Sequence, residues 1–312
     1  MTDRLPPLTA LRAFDAAARH MSFAHAAAEL NVTPAALSFQ IKSLEEHLGA
    51  PVFRRLNRAV ELTAEGEALK NGVQEGFELL TAAWRLAQRQ AQSNVLTVTA
   101  GPAFTAKVLA PRLFGFAQAH PDIDLRFSAT LRLLDFARDD VDVAIRFGSG
   151  DDDGLYSRVL MREWLSPVMT PDLARRFDTP EKLLKAPLIF DDSIDFLRLK
   201  ADWSNWFKAN GIKAGTIKGA HFSQADHAVD AALTGGGVVL ARSTLAASAL
   251  MDGQLVAPFE TALAIDAHFR FVCPIGYETK PQVMQFSNWL DDEIAALKAH
   301  LPEKRLIHVA DI

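Results

Sequence analysis

Three arginines, Arg54, Arg55 and Arg58, lie within five positions of a short segment bounded by apolar residues. Guanidinium groups on such a segment suit phosphate oxygens and the narrow minor groove of a duplex. A second set of candidate contact residues lies upstream and comprises Thr33, Pro34, Ala35, Ser38, Phe39, Gln40 and Lys42. Its polar groups can reach base edges or phosphates, and its aromatic ring can contact a thymine methyl group. These residue types support recognition of double-stranded DNA.

The second set needs a helix that buries one face and presents the other. Residues 23–30 predict a short alanine-rich helix, and Asn31-Val32 predicts a tight turn. Thr33 and Pro34 are typical of a helix start, as a capping hydroxyl and a first-turn proline. The next helix, over 35–48, is predicted to bury one apolar stripe and to stop at a glycine, from Ala36, Leu37, Ile41, Leu44, Leu48 and Gly49.

Two helices joined by a tight turn and followed by an arginine-rich hairpin predict a winged helix-turn-helix, whose second helix enters the major groove. One alternative is an ordinary helical hairpin in a protein core. Another is an arginine cluster that forms a merely solvated loop. The order of the two features along the chain favours DNA contact over both alternatives.

A long helix is predicted over about 63–92. Its apolar positions repeat at alternating spacings of four and three residues, with two aromatic residues beside them: Leu69, Val73, Gly76, Leu80, Ala83 and Ala87, flanked by Phe77 and Trp84. This pattern is typical of a coiled-coil seam. The seam could pack on the chain's own core, but we expect no other helix to cover it. We therefore favour a partner chain as the cover.

From residue 95 onward the pattern changes to alternating strands and helices. Strands are predicted over 95–100, 124–128, 141–147, 165–169, 188–190, 217–222, 238–241 and 269–273, and helices over 104–120, 133–139, 203–210, 226–234 and 281–300. Such alternation predicts parallel sheets with helices on both faces. The run 235–237 is three glycines without a following lysine, so we interpret it as a turn. The aspartates at 151–153 could bind a cation, but a solvated loop is the favoured interpretation.

The run 27–49, with its continuation through 52–55 and 62–66, resembles the winged helix-turn-helix of LysR-type transcriptional regulators. The resemblance extends over essentially the whole chain, with particular similarity at 110–113, 120–123, 142–148 and 236–240. The segment 222–232 is similar to the branch that contains the glycine-cleavage-system regulator. Two positions depart from the commonest family pattern: Pro34 stands where that pattern has Gln, and Phe39 stands where it has Arg or His. The base preferences of typical family members therefore cannot be carried over to this chain.

The resemblance implies a multi-domain α and α/β architecture. A winged helix-turn-helix domain would occupy 1–62, a linker and dimerisation helix 63–92, and a two-lobed, periplasmic-binding-protein-like effector domain 93–312. Lobe I would comprise about 95–166 and 269–300, and lobe II about 167–268. The implied function is a transcriptional regulator that binds an interrupted inverted repeat as a dimer, or as a dimer of dimers, and responds to a small, anionic effector.

The resemblance also places an effector pocket where the first strand of the effector domain meets its helix. The residues expected to line it are Ala103, Phe104, Thr105, Ser128, Thr130, Arg146, Phe147, Ser223 and His227. Ala103 stands where many family members have Ser, so one expected hydroxyl is missing. Arg146 could pair with an effector carboxylate or with an internal acid such as Asp142.

Composition limits the alternatives. The 312 residues are 49% hydrophobic and include one cysteine, Cys273, so an intrachain disulfide and a cysteine-based metal site are excluded. The N-terminus is charged, and no apolar run reaches a membrane span, so we expect a cytoplasmic protein without membrane contact. The net charge is −5, and residues 1–92 hold ten basic and ten acidic residues, so the basic signal is only local.

Two other function classes remain open from the sequence. One is an α/β binding or catalytic domain with an incidental N-terminal segment. We see no placed catalytic group, no metal-ligand spacing and no cofactor motif that would support it. The other is a constitutive architectural DNA protein, which would leave some 200 residues of two-lobed domain without a use. The expected class is therefore a regulator rather than an enzyme.

Overall fold

The computed structural model describes residues 5–55, 60–91, 94–136, 138–150 and 152–312. Arg58 of the expected wing and Asp151 of the acidic run lie outside the described residues. The chain divides into two compact units, Met1–Ala91 and Gln92–Ile312. Within the described residues, no helix combines the length and apolar character needed to cross a bilayer.

The first unit is helical with one small hairpin. Its elements are α1 (Leu8–His20), α2 (Phe23–Glu29), α3 (Pro34–Leu48), β1 (Phe53–Arg55), β2 (Val60–Leu62) and α4 (Ala64–Ala91). The predicted start and end of α3 are confirmed. The Thr33 hydroxyl accepts a hydrogen bond from the Ala36 amide at 3.2 Å, and Gly49 adopts a left-handed φ of 78°. Asn31 supplies the left-handed turn between α2 and α3, which asparagine tolerates better than most residues.

The predicted stripe on α3 is partly wrong. Leu37, Ile41 and Leu44 are buried as expected, but Ala36 and Leu48 are exposed. The buried positions follow a spacing of four and three residues, which covers only one narrow face of a helix. Ala36 lies in the first turn and Leu48 in the last, beyond the elements that cover the middle of α3.

Helix α1 was not predicted, and it changes the interpretation of the seam on α4. It packs against α2, α3 and α4, and its apolar face is buried in the core of the first unit. Leu69, Val73 and Phe77 pack, half-buried, against that same core. The N-terminal half of the seam is therefore covered within the chain. Leu80 and Trp84, further along α4, remain exposed.

The hairpin of β1 and β2 is antiparallel, with Phe53 opposite Leu62. It is anchored to the helices because the Phe53 ring lies 5.5 Å from that of Phe14 and 5.4 Å from that of Phe23. A carboxylate oxygen of Glu45 accepts a hydrogen bond from the Val52 amide at 3.0 Å. The anchoring fixes where the hairpin leaves the helical core.

The second unit is a mixed α/β structure. Its strands are β3 (Val95–Ala100), β4 (Asp124–Ala129), β5 (Val143–Gly148), β6 (Leu155–Val168), β7 (Leu188–Asp191), β8 (Gly219–Phe222), β9 (Val238–Arg242), β10 (Thr261–Pro274) and β11 (Arg305–His308). Its α-helices are α5 (Pro102–Phe104), α6 (Leu113–Ala119), α7 (Pro171–Arg176), α8 (Trp203–Ala209), α9 (Ala225–Leu233), α10 (Ser243–Met251) and α11 (Pro281–Ala299).

The strands form one sheet in the order β4-β3-β5-β10-β6-β9-β7-β8, with β11 paired to β10. The pairs of β3 with β4 and β5, and of β7 with β8 and β9, are parallel. The long strands β6 and β10 run antiparallel to each other through the middle of the sheet. We call the part around β3, β4 and β5 the first lobe and the part around β7, β8 and β9 the second lobe.

Each lobe has its own buried core. Leu96, Phe271 and Phe286 belong to the core of the first lobe, and Trp203 and Trp206 to a core of the second. Both indole nitrogens are satisfied, since Trp203 Nε1 donates to the Ile189 carbonyl at 2.9 Å and Trp206 Nε1 donates to a carbonyl on β10 at 3.1 Å. The long strands carry residues of both cores, which joins the lobes.

Two predicted helices differ in the structure. The segment 104–120 is not one helix: a π-helical turn at Thr105–Leu109 separates α5 from α6, and Pro111 lies in the break. The predicted helix at 133–139 is wrong, because the described residues there form an irregular loop. The carboxylate of Asp139 accepts a hydrogen bond from the Asp135 amide at 2.8 Å, a side-chain contact that competes with helical bonding.

Candidate functional site

The first candidate surface is the exposed side of α3 together with the hairpin. Thr33, Pro34, Ala35 and Lys42 are exposed, Ser38 and Gln40 are half-buried, and the Phe39 side chain is 70% exposed. Because Leu37, Ile41 and Leu44 hold the opposite face in the core, this side of the helix is free to contact a partner. The exposed Phe39 ring gives this surface a large apolar group beside its polar side chains.

Arg54 is exposed on β1, and its backbone lies opposite that of Glu61 in the register of the hairpin. The backbone of Arg55 lies next to it on the same strand. A close backbone approach holds the base of the hairpin, since a Cβ at Gly66 would collide with the Val52 carbonyl oxygen. Any larger residue at position 66 would therefore clash with the backbone before the hairpin.

The second candidate site is a cavity of about 400 Å³ between the two lobes. We call it the interlobe cavity; it is lined by Thr99, Ala100, Gly101, Pro102, Ala103, Phe104, Thr130, Leu131, Arg132, Leu133, Leu134, Ala144, Ile145, Arg146, Phe147, Ser193, Phe196, Gln224, Arg242 and Phe269. Most of these residues lie at or just after the carboxyl ends of parallel strands in both lobes. In open α/β sheets this is where ligands bind.

Five of the nine residues expected to bind an effector line this cavity, namely Ala103, Phe104, Thr130, Arg146 and Phe147. The other four, Thr105, Ser128, Ser223 and His227, are not among its lining residues.

These four residues lie in other local environments. The Thr105 hydroxyl donates to the Gly101 carbonyl at 2.9 Å, within its own turn. Ser128 and Ser223 are exposed. His227 is exposed because α9 buries a different face, formed by Ala225, Ala228, Val229 and Ala232.

Arg146 is held by internal partners and not by Asp142. Its guanidinium donates to a carboxylate oxygen of Asp152 at 3.1 Å and to the Leu134 carbonyl at 2.9 Å. The other carboxylate oxygen of Asp152 lies 3.0 Å from Arg270. Asp142 instead accepts a hydrogen bond from the Thr97 amide at 2.9 Å. The solvated-loop interpretation is therefore wrong for Asp152, whose side chain is buried beneath two guanidinium groups.

The cation that sequence reasoning missed is Arg242, at the end of β9. Its side chain is 5% exposed and donates to Ser193 Oγ at 2.9 Å and to Asp191 at 3.3 Å. The guanidinium carbon lies 4.7 Å above the Phe147 ring. Its Nε is buried and has no hydrogen-bond partner among the described residues. The sequence signal that could have identified Arg242 is a charged residue at the end of an otherwise apolar strand.

A buried carboxylate lies beside Arg242. Glu163 on β6 accepts hydrogen bonds from the Ser243 hydroxyl at 2.9 Å, from the Thr244 hydroxyl, and from the Thr244 amide at 3.3 Å. Burial raises the pKa of Glu163 to about 7, although these hydrogen bonds and the Arg242 charge oppose the shift. Glu163 connects a long central strand to the start of α10. Among the described residues, no cluster of His, Cys, Asp or Glu could hold a metal ion.

A helix-turn-helix with an exposed second helix, in one chain with two lobes around a cavity, is the architecture of a DNA-binding regulator that carries a candidate ligand-binding domain. Family models agree: the bacterial regulatory helix-turn-helix protein of the lysR family matches residues 8–67, and the LysR substrate binding domain matches residues 89–295. The chain belongs to the LysR family of transcriptional regulators.

Individual relatives point the same way. The chain is 41% identical to the glycine cleavage system transcriptional activator of Escherichia coli K12, over 95% of this chain and 96% of that protein. It is 36% identical to the transcriptional activator AmpR of Pseudomonas aeruginosa, over 94% and 97%. The crystal structure of the effector domain of that AmpR is similar with a TM-score of 0.53 and 29% identity, over 67% of this chain and all of that chain.

Proposed function

We propose that this regulator binds an interrupted inverted repeat in double-stranded DNA as a homodimer, which can assemble into a dimer of dimers. In this proposal residues 1–62 read DNA, 63–92 link and dimerise, and 93–312 bind an effector. The effector is a small anionic molecule held between lobe I, about 95–166 and 269–300, and lobe II, about 167–268.

The exposed side of α3 carries the DNA-reading part of the proposal. Ser38 and Gln40 have the hydrogen-bonding groups that distinguish base pairs, and Phe39 offers an apolar surface to a thymine methyl group. Arg54 on the hairpin has the charge that phosphate contacts require. Two copies of this surface in a dimer would match two half-sites about one helical turn, or a multiple of it, apart.

The DNA experiment is a gel shift on the DNA upstream of the protein's own coding region, repeated at several salt concentrations. Arg54→Ala should weaken binding on all sequences and lower the slope of log affinity against log salt by about 1. Ser38→Ala and Gln40→Ala should instead change the sequence preference. Arg175→Ala, an exposed arginine of the second unit, is the matched control. Unchanged affinity and salt slope for Arg54→Ala would remove the wing contact.

The interlobe cavity carries the effector part of the proposal. Its described lining includes Arg132, Arg146 and Arg242 but no Asp or Glu. Asp152 is shared by Arg146 and Arg270, so two guanidinium groups face one carboxylate. Arg242 still has an unpartnered Nε–H, and an unsatisfied buried donor favours a ligand that accepts hydrogen bonds. Because the Arg242 charge already has Asp191 as a partner, this Nε–H is the group that remains for an acceptor such as a carboxylate.

The effector experiment combines a thermal-shift screen of amino acids and organic acids with calorimetry. Phe147→Arg should abolish binding of any hit, because it fills the cavity and places a second cation beside Arg242. Thr105→Val is the control, since its hydroxyl is bonded within its own turn and does not line the cavity. If Phe147→Arg binds the hit as well as the parent does, the effector site lies elsewhere.

A further inference from the structure

The interlobe cavity is buried at one end, where Arg242 lies, and its exposed end carries three large apolar side chains. At its floor, Arg242 is 5% exposed and Phe269 is 3% exposed. At its mouth, the side chains of Leu131, Leu133 and Phe196 are 73%, 74% and 66% exposed. We call these three residues the apolar rim.

The apolar rim belongs to both lobes. Leu131 and Leu133 lie in the loop after β4 in the first lobe, and Phe196 follows β7 in the second. The Phe196 ring contacts the Phe147 ring edge-on, with centroids 6.4 Å apart, which links the rim to the cavity floor. A molecule that extends from Arg242 to the mouth would therefore touch both lobes.

Hydrogen bonds in the loop after β4 hold the two rim leucines in their exposed positions. The Arg132 amide donates to the Thr130 hydroxyl at 3.1 Å, and the Leu134 carbonyl accepts from Arg146 at 2.9 Å. These bonds fix the backbone on either side of Leu133. Single exposed apolar residues are ordinary on a protein surface, but a cluster of three around a cavity mouth marks a binding surface.

We propose that the effector is an amphipathic carboxylate, with its charged end at Arg242 and an acyl or aryl tail against the apolar rim. This inference rests on the proposed function and adds the chemical class of the effector. A cavity of about 400 Å³ falls in the range of sites for ligands much larger than a small amino acid. A ligand that contacts the rim residues of both lobes binds more tightly when the lobes are closed around it than when they are apart. This difference in affinity shifts the equilibrium between the open and the closed state.

The experiment is isothermal calorimetry on the full chain with acetate, butanoate, hexanoate, octanoate and 3-phenylpropanoate, and with octanamide as the uncharged counterpart. Affinity should rise roughly fourfold per methylene along the linear series, from the transfer free energy of a buried methylene. Octanamide should bind at least about tenfold more weakly than octanoate, because it lacks the charge that strengthens hydrogen bonds. The phenyl acid distinguishes an aryl tail from an acyl tail.

Variants assign the effect to the rim. Leu131→Ser, Leu133→Ser and Phe196→Ala should each flatten the dependence on chain length while acetate affinity changes little. Leu306→Ser, an exposed leucine on β11 outside the cavity, is the matched control and should leave the series unchanged. Arg242→Lys should preserve part of the preference for octanoate over octanamide, and Arg242→Gln should remove it.

Two results would overturn the inference. If acetate and octanoate bind equally, or if none of these acids binds, the effector is not an amphipathic carboxylate. The proposed function would survive either result if another ligand from the wider screen binds the parent but not Phe147→Arg. It would fail together with the inference only if no ligand depends on the interlobe cavity.

Discussion

Asp152 supports one side of the interlobe cavity through its ion pair with Arg146. Its carboxylate contacts Arg146 and Arg270 and accepts a hydrogen bond from Ser157 Oγ at 2.7 Å. Arg146 in turn holds the Leu134 carbonyl, in the loop that bears two residues of the apolar rim. Removing the buried negative charge would leave two guanidinium groups close together without a counter-ion, which is costly in a buried site.

We therefore expect Asp152→Asn to lower effector affinity by about tenfold, equivalent to roughly 1.4 kcal/mol, and to lower the melting temperature. DNA affinity without effector should stay near that of the parent. Calorimetry, thermal unfolding and gel shift on one preparation measure all three. Asp153→Asn changes the exposed neighbour and serves as the control. Equal effects of the two substitutions would mean that the ion-pair cluster does not position the loop.

Glu163 gives a prediction on pH at the same scale. Its pKa is raised from 4.5 to about 7 in the folded protein, so the folded state binds this proton more tightly than the unfolded chain. The stabilisation is complete below about pH 4.5 and is lost as the pH rises through about 7. Glu163→Gln should remove this part of the pH dependence, measured as melting temperature from pH 5 to pH 8.

Glu181→Gln, at an exposed glutamate of the second lobe, is the control and should keep the parent's pH profile. A parent and a Glu163→Gln variant with parallel profiles would show that the buried carboxyl does not titrate in this range.

At the scale of elements, α4 has two different halves. Val73 is half-buried against the core of the first unit, whereas Leu80 is 53% exposed and Trp84 is 67% exposed. If a second copy covers the C-terminal half, Leu80→Asp buries an unpaired carboxylate only in the dimer. We expect this variant to stay folded, to become monomeric and to lose tight operator binding.

Val73→Asp should behave differently, because it places the carboxylate against the chain's own core and so lowers the stability of the first unit itself. Gln74→Asp, on the exposed side of α4, controls for added charge. Light scattering and thermal unfolding separate the two outcomes. A Leu80→Asp chain of the same size as the parent would place the dimer interface elsewhere.

At the scale of the whole molecule, the second unit has separate buried cores in both lobes, so we expect the fragment 95–312 to fold alone. The fragment should keep the near-ultraviolet circular dichroism of Trp203 and Trp206, whose indole nitrogens bond within it. It should also bind the effector with the affinity of the full chain and show no operator binding. An unfolded fragment, or one without effector affinity, would contradict this expectation.

Local chemistry is what the sequence by itself determined. The cap at Thr33, the stop at Gly49 and the hairpin of β1 and β2 depend on neighbours in the chain, and each was predicted. Family resemblance and the two-lobed α/β class followed from long ordered motifs. Where local signals were weak, prediction failed: α10 is buried on nearly all sides, so it has no amphipathic stripe to detect.

The tertiary structure decided which side chains meet. The interlobe cavity joins Phe104, Thr130, Phe147, Ser193 and Arg242, which lie far apart in sequence and come together because parallel strands of both lobes end there. Arg146 pairs with Asp152 and not with Asp142 although both lie within six residues of it, so the fold of the chain around Arg146, and not distance along the sequence, made this choice. Likewise, the core that contains α1 covers the N-terminal part of the apolar seam of α4 and leaves Leu80 and Trp84 exposed. Spacing along a chain fixes periodicity and caps, but partners across a sheet are set by register and packing, which no local pattern contains.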